Sequence, residues 1–302
     1  MLTIRRILFP TDFSEGSTRA FAQAVFLADQ HDAALHIIHV AEGGATATDE
    51  PFPLATDTLA GWMQASADSS SELDRLSIVQ KIVDSDTAAE AICAYASEHE
   101  IDLAVMGTQG RRGTDRMIFG SVAEEVVREA PCPVLTVRAG TDIEAHTATE
   151  RILTPIDFSD FSKAAARHAR EIGAAYDASI HLLHVVDVPE PPPPHVDPDN
   201  YPEPAVLDQA KLDLEKLAEE NIGHDRVTVA AEGGDASEVI LEYVDEHDID
   251  FIVIATKGRT GLDRMLLGSV AEEVLSQSPV PVFVVKPNRR SLTTAEASSD
   301  SA

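Results

Sequence analysis

The sequence predicts an α/β protein of two tandem domains. Each domain is expected to be doubly wound, with a five-stranded parallel sheet flanked by helices. Strand-like runs alternate with helix-period segments, which implies parallel pairing through crossover connections. The same order of elements occurs twice, and 302 residues are enough for two separate cores.

Apolar runs predict the five strands of the first half at 4–9, 35–40, 77–83, 103–106 and 134–138. Helical periodicity predicts helices between them at 14–31, 56–74, 86–99 and 120–130. The first helix carries apolar residues at i, i+3, i+4 and i+7, the stripe that faces a core. These residues are Phe21, Ala24, Val25 and Ala28.

The second half repeats the first. ILFPTDFS at 7–14 returns as ILTPIDFS at 152–159, and the windows 107–126 and 255–274 are identical at 14 of 20 positions. We therefore predict one domain at 1–140 and a second at 150–290. The polar linker is expected at 139–150, and the polar tail at 291–302 is expected to be disordered.

The charge balance limits the partners. The net charge of −29 repels nucleic acid and anionic membranes, so neither is expected as a partner. No apolar run reaches the roughly 20 residues that span a bilayer, and MLTIRRILFP has no signal-peptide features, which predicts a cytoplasmic protein. The acidic composition is typical of salt-loving organisms, where salt screens the repulsion.

The two cysteines, Cys93 and Cys132, have no cysteine counterparts in the second half. We expect buried thiols and neither a disulfide nor a metal site. No pairing of a catalytic base with a nucleophile is evident in the sequence.

Ligands of doubly wound sheets bind beyond the carboxyl ends of the strands, where the strand order reverses. The loop after the fourth strand contains Gly107 and Gly110, followed by Gly120 and Ser121 at a helix start. A helix start exposes N–H groups and the positive end of the helix dipole, and glycines allow close backbone approach. Residues 107–121 and 255–269 each carry three basic residues and one acidic residue, which favours an anionic ligand such as a phosphate.

Some of these residues have a purely structural alternative. Ser121 with Glu124, like Ser269 with Glu272, has the spacing of a capping box, which starts a helix without any ligand.

The aspartates after the first strand of each half, Asp12 and Asp157, are either helix-start acids or carboxylates that face the crevice and bind a base or sugar. His39 and His184 are expected to be packed core residues. There is no P-loop sequence, and the glycines do not follow the first strand as in a Rossmann dinucleotide site.

The combination of PTDFS, HV, MGTQGRRGTDRMIFGSVAEEVV and PCPVLTVR resembles the universal stress protein family, over both halves of the chain. Nucleotide-binding members of that family carry G-x2-G-x9-G-[ST], which is met here by Gly107, Gly110, Gly120 and Ser121. The resemblance implies ATP as the ligand, or AMP or cyclic AMP in some members. It leaves open whether Mg²⁺ or Mn²⁺ accompanies the nucleotide.

By the same resemblance, the nucleotide contacts the loop after the first strand, the end of the second strand and the glycine loop. In the first half the implied residues are Pro10, Thr11, Asp12, Val40, Met106, Gly107, Gly110, Arg111, Gly120, Ser121 and Val122. In the second half they are Pro155, Ile156, Asp157, Val185, Ala255, Gly258, Arg259, Gly268, Ser269 and Val270.

The second half departs from the family pattern, because Ala255 replaces the first glycine. Its methyl group would crowd the nucleotide, and it would be strained if the backbone has a positive φ. We expect a weaker second site.

The function implied is a stress-response sensor or switch that binds adenine nucleotide and is not an efficient enzyme. A nucleotide-free pairing module and a slow ATPase are the alternatives. The resemblance also implies pairing between the two halves, with a homodimer as a further state.

Overall fold

The chain divides into two units whose described strands follow the same order. Unit 1 comprises Met1–Thr147 and Lys286–Ala302, and unit 2 comprises Ala148–Val285. The computed structural model describes residues 2–41, 76–108, 119–138, 149–187, 204–223, 226–256, 267–286 and 292. The helix predicted at 56–74, most of the predicted linker and nearly all of the tail lie outside these residues.

In unit 1 the described strands are β1 (Arg6–Pro10), β2 (Ala34–Ala41), β3 (Ile78–Asp84), β4 (Leu103–Gly107) and β5 (Val134–Val137). The helices are α1 (Glu15–His31), α2 (Ala88–Glu98) and α3 (Ser121–Glu129). The strands are parallel and lie in the order β3-β2-β1-β4-β5. β1 therefore lies between β2 and β4, and the direction of winding reverses beside it.

Unit 2 repeats this arrangement with β6 (Arg151–Pro155), β7 (Ser179–Asp187), β8 (Val227–Gly234), β9 (Phe251–Ala255) and β10 (Val282–Val285). Its helices are α4 (Asp160–Tyr176), α5 (Pro204–Asn221), α6 (Ala236–Glu246) and α7 (Ser269–Gln277). The strand order is β8-β7-β6-β9-β10, again parallel, and the winding reverses beside β6. The predicted fold class is confirmed.

The core of each unit lies between the sheet and the helices. The four stripe residues of α1 are all at most 5% exposed, so the predicted helix face is the buried one. The central strands are buried almost throughout, as expected for parallel strands covered on both faces. Burial of this kind supplies most of the stabilisation of such domains.

Leu292 is the described residue of the tail. It is buried, and its carbonyl oxygen accepts a hydrogen bond from the backbone N–H of Thr3 at 3.3 Å. The disorder expected for the tail therefore does not hold at this residue, because its side chain packs and its backbone is paired.

Neither cysteine forms a disulfide, and Cys132 is buried while Cys93 is only half-buried. Burial raises the pKa of the Cys132 thiol to about 11, which keeps it protonated and unreactive. No helix in the described part of the chain is long and apolar enough to cross a bilayer.

Candidate functional site

The carboxyl edge of the unit 1 sheet brings together three of the predicted segments. Pro10 ends β1, Met106 and Gly107 end β4, and Val40 lies near the end of β2. β1 is hydrogen-bonded to both neighbours, so the three strand ends share one edge. In unit 2, Pro155, Val185 and Ala255 occupy the matching places on β6, β7 and β9.

Helix α3 begins at this edge with a glycine cap. Gly120 is the N-cap, with φ −65° and ψ 137°, and its N–H donates to the carbonyl oxygen of Thr108 at 2.8 Å. The capping box considered as the structural alternative does not form, because Ser121 is already the first helical residue and its side chain is exposed. A glycine cap has no side chain that could accept from the first N–H groups of the helix.

Helix α7 begins in the same way. Gly268 is the N-cap, with φ −70° and ψ 144°, and its N–H donates to Thr256 O at 2.9 Å. Ser269, the cap in the structural alternative, is likewise the exposed first residue of its helix. In both units the N-cap residue therefore offers no side-chain acceptor to the first N–H groups of the helix, and the first helical residue has an accessible hydroxyl. A helix start of this kind suits an anion.

The loop after β1 is fixed by its aspartate. One carboxylate oxygen of Asp12 accepts from the backbone N–H of Ser14 at 3.0 Å and from the hydroxyl of Ser17 at 2.9 Å. The carboxylate therefore organises the start of α1, as the structural alternative expected. Its contact with a base or sugar stays a prediction.

Asp157 plays the same part in unit 2. Its Oδ1 accepts from the N–H of Ser159 at 3.1 Å and from the hydroxyl of Ser159 at 2.6 Å. Ser159 then caps α4 by accepting from the N–H of Ser162. In unit 1 the N-cap of α1 is Ser14, which makes no such bond with its own side chain.

Two histidines that were expected in the core lie instead at this edge. His39 and His184 are half-buried, and their Nδ1 atoms lie 2.8 Å and 2.6 Å from the carbonyl oxygens of Thr11 and Ile156. The expectation of simple core packing is therefore wrong. The signal in the sequence is the HV pair, which stands at the same place in both halves.

Gly107 is required by a close approach within unit 1. A Cβ atom at Gly107 would lie 2.8 Å from the carbonyl oxygen of Gly16, in the first turn of α1. Neither Gly107 nor Ala255 has a positive φ, so the backbone strain considered for Ala255 does not exist. Ala255 is 8% exposed and is accommodated at the end of β9.

Four predicted residues lie outside the described part of the chain: Gly110, Arg111, Gly258 and Arg259. Their contacts with phosphates stay predictions. Val122 and Val270 follow the exposed serines at the two helix starts, and Val122 is itself 38% exposed. Among the described residues, no group of three or more histidine, cysteine, aspartate or glutamate side chains could hold a metal ion.

Comparison with known proteins gives a consistent result. The model of the universal stress protein family matches residues 3–138 and 148–286. A universal stress protein of Methanocaldococcus jannaschii is 36% identical over 148 residues, which is 45% of this chain and 82% of the relative. One from Mycolicibacterium smegmatis is 28% identical over 294 residues, which is 93% of this chain and 97% of the relative.

Solved structures agree on the fold. The crystal structure of a universal stress protein from Archaeoglobus fulgidus has a TM-score of 0.63 at 20% identity, covering 95% of this chain and 98% of that one. A likeness at this identity concerns the fold alone.

Proposed function

We propose that this chain, which belongs to the universal stress protein family, binds an adenine nucleotide at the carboxyl edge of each sheet and acts as a cytoplasmic stress-response sensor or switch. ATP is the first candidate ligand and AMP the second. Support comes chiefly from the two glycine-capped helix starts, at Gly120 and Gly268, beside the strand ends where such sheets bind ligands. The N–H groups there suit phosphate oxygens.

Charge favours the same end of each sheet. The chain carries a net charge of −29, yet the segments 107–121 and 255–269 each have an excess of basic residues. An anionic ligand would be repelled by most of the surface and attracted to these segments.

The base end of the site would lie between two loops. Asp12 follows β1, Val40 stands near the end of β2, and the two strands are adjacent. A backbone edge beside a carboxylate can donate and accept hydrogen bonds, as recognition of an adenine and its ribose requires.

A nucleotide-free pairing module is the second candidate, and one observation favours it. A Cβ atom at Gly120 would lie 2.9 Å from Thr108 O, so Gly120, like Gly107, has a packing reason to be glycine. Retention of these two glycines therefore does not require a nucleotide.

Mass spectrometry of the small molecules released when the purified protein is denatured separates the two functions. Adenine nucleotide in the wild type, and its loss from a folded variant carrying Gly110→Asp and Gly258→Asp, would support nucleotide binding. No retained nucleotide and no binding on titration would favour the pairing module. Phosphate release above background would instead indicate a slow ATPase.

A further inference from the structure

We propose that His39 and His184 are positioning residues for the base end of the nucleotide site. Each forms what we call the histidine clamp. In unit 1 the clamp consists of His39, Thr11 and Phe13, and in unit 2 of His184, Ile156 and Phe158. This role rests on the proposed function, since it concerns the same site.

The hydrogen bond of the clamp has a fixed direction. A carbonyl oxygen can only accept, so the Nδ1 atom of each histidine must carry the proton and donate. The bond is 2.8 Å from His39 to Thr11 O and 2.6 Å from His184 to Ile156 O. Since the bond occurs independently in both units, it is a feature of the fold.

Residues of the neighbouring strand, β2 or β7, bind both the N–H and the carbonyl oxygen of the loop residue, which is Thr11 in unit 1 and Ile156 in unit 2. The N–H of Thr11 donates to Ile38 O at 2.9 Å, and that of Ile156 donates to Leu183 O at 2.8 Å. The next residue of each strand is the clamp histidine, which reaches the carbonyl of the same loop residue. The pairing of the two strands is thus extended one residue past the end of β1 or β6.

The aromatic residue of each clamp is held in an unusual conformation. Phe13 has φ 58° and Phe158 has φ 64°, in the left-handed region that aromatic residues avoid. Their rings lie against the histidine rings, with centroids 4.9 Å and 4.7 Å apart. Such a conformation persists where the surroundings determine it, and the histidine supplies a bond on one side and a ring contact on the other.

The clamp lies between the two residues predicted to meet the base. In unit 1, Asp12 lies between Thr11 and Phe13, and Val40 directly follows His39. If the clamp opened, the Asp12 loop would move relative to the backbone of Val40. The phosphate end, at Gly120, is not part of the clamp.

The clamp of unit 1 contains a hydrogen bond that the clamp of unit 2 cannot form. In unit 1 the hydroxyl of Thr11 also accepts from the backbone N–H of Phe13, at 3.0 Å. Ile156 has no hydroxyl, so the loop of unit 2 lacks this bond. Loss of the histidine should therefore weaken nucleotide binding in unit 2 more than in unit 1.

The test compares two substitutions of each histidine in the full-length chain. His184→Phe keeps an aromatic ring but removes the donor, whereas His184→Asn keeps a donor at the Nδ1 position. To observe one site at a time, the His184 variants carry Gly110→Asp, and His39→Phe and His39→Asn carry Gly258→Asp. His36→Asn, at the other end of β2, is the control for loss of a histidine.

We expect His184→Phe to weaken ATP and adenosine by the same factor, about tenfold, the upper range for one hydrogen bond. His184→Asn should retain most of the affinity, and binding of inorganic tripolyphosphate should not change. His39→Phe should lose less affinity for ATP and adenosine than His184→Phe does. Three results would refute the role. The Phe variants could bind ATP with wild-type affinity, the Asn variants could lose as much ATP affinity as the Phe variants, or the Phe variants could lose as much affinity for tripolyphosphate as for ATP.

A second readout does not depend on nucleotide. Amide hydrogen exchange of residues 11–14 and 156–159 in the ligand-free protein should be slow in the wild type and Asn variants, and faster in the Phe variants. Unchanged exchange in the Phe variants would overturn the clamp even if nucleotide binds. Absence of ATP binding in the wild type would overturn the proposed function, and exchange would still decide whether the clamp holds the loop.

Discussion

The carbonyl oxygen of Gly16 lies 2.8 Å from the place that a Cβ atom would occupy on Gly107. This contact joins the end of β4 to the first turn of α1. It explains why the first position of the loop pattern is a glycine without reference to any ligand. In unit 2, Phe161 stands at the place of Gly16 and Ala255 at that of Gly107. The two units therefore pack these segments with different residues.

Gly107→Ala is predicted to destabilise unit 1. The added methyl meets backbone and not a flexible side chain, so helix or strand must shift, at a cost of about 1–3 kcal/mol in the free energy of unfolding. Chemical denaturation followed by circular dichroism measures this change in stability. Gly223→Ala, at a surface turn of unit 2, is the comparison, because there the glycine has a positive φ and an added methyl group meets no close neighbour. A Gly107→Ala protein as stable as the wild type would show that the contact relaxes without cost.

Ala255→Gly is predicted to strengthen nucleotide binding in unit 2. If the nucleotide approaches this position closely, the methyl group costs about 1–3 kcal/mol, which is about ten- to a hundredfold in affinity. Titration of ATP into the full chain, with the first site removed by Gly110→Asp, compares Ala255 with glycine directly. Gly107→Ala is less suitable for this test, because its methyl group would also collide with the backbone of Gly16 and so change the stability of unit 1. Equal affinities would mean that the difference between the copies has no effect on binding.

Replacement of Arg111, Arg112 and Arg116 by glutamine is predicted to weaken ATP more than adenosine. Charge-assisted hydrogen bonds to phosphate oxygens would be lost, whereas contacts with the base would not. Arg5→Gln, at an exposed arginine preceding β1, shows the effect of removing one positive charge outside these segments. Parallel losses for both ligands would contradict a role for these arginines in phosphate recognition.

Acidification is predicted to destabilise both units through two histidines, of which His36 is buried and His181 is half-buried. Burial lowers the pKa of His36, with the nearby His99 and Arg6 adding to the effect. Burial likewise lowers the pKa of His181, next to His247 and Arg151. The Nδ1 atoms of His36 and His181 lie 2.9 Å and 3.0 Å from the hydroxyls of Tyr95 and Tyr243.

Since the folded pKa of these histidines is below the unfolded value, their contribution to stability is complete above about pH 6.5 and is lost as the pH falls below it. The unfolded chain takes up protons first in that range. Each histidine contributes a slope of at most about 1.4 kcal/mol per pH unit. Denaturation midpoints between pH 7.5 and 5 should fall less steeply in a His36→Asn, His181→Asn variant; an unchanged slope would assign the pH dependence to other groups.

The repeating pattern of the sheet could be predicted from the sequence because it depends on local periodicity. The first helix was expected at 14–31 and is found at Glu15–His31, with the expected face buried. The helix caps could not be predicted as well. Gly120 takes the cap position and Ser121 enters the helix because the N–H of Gly120 donates to Thr108 O. These residues are twelve positions apart, and the spacing of the motif alone does not reveal their contact.

The contacts of the clamp histidines and of Gly107 could not be predicted for a related reason. His39 bonds to a carbonyl 28 residues earlier in the chain, and that partner is a backbone atom which leaves no signature in the sequence. The neighbour that crowds Gly107 is Gly16, on α1, which precedes it by 91 residues in the chain. Both are tertiary contacts, which a local sequence pattern does not reveal. The histidine contact alone leaves a sign, because His39 and His184 stand at the same place in the two halves.

Titration calorimetry of ATP into the nucleotide-stripped, full-length protein tests nucleotide binding most directly. We predict saturable binding in the wild type, and its loss in a variant that carries Gly110→Asp and Gly258→Asp and has an unchanged circular dichroism spectrum. Absence of binding in the wild type, or the same affinity in the folded double variant, would contradict the proposed site.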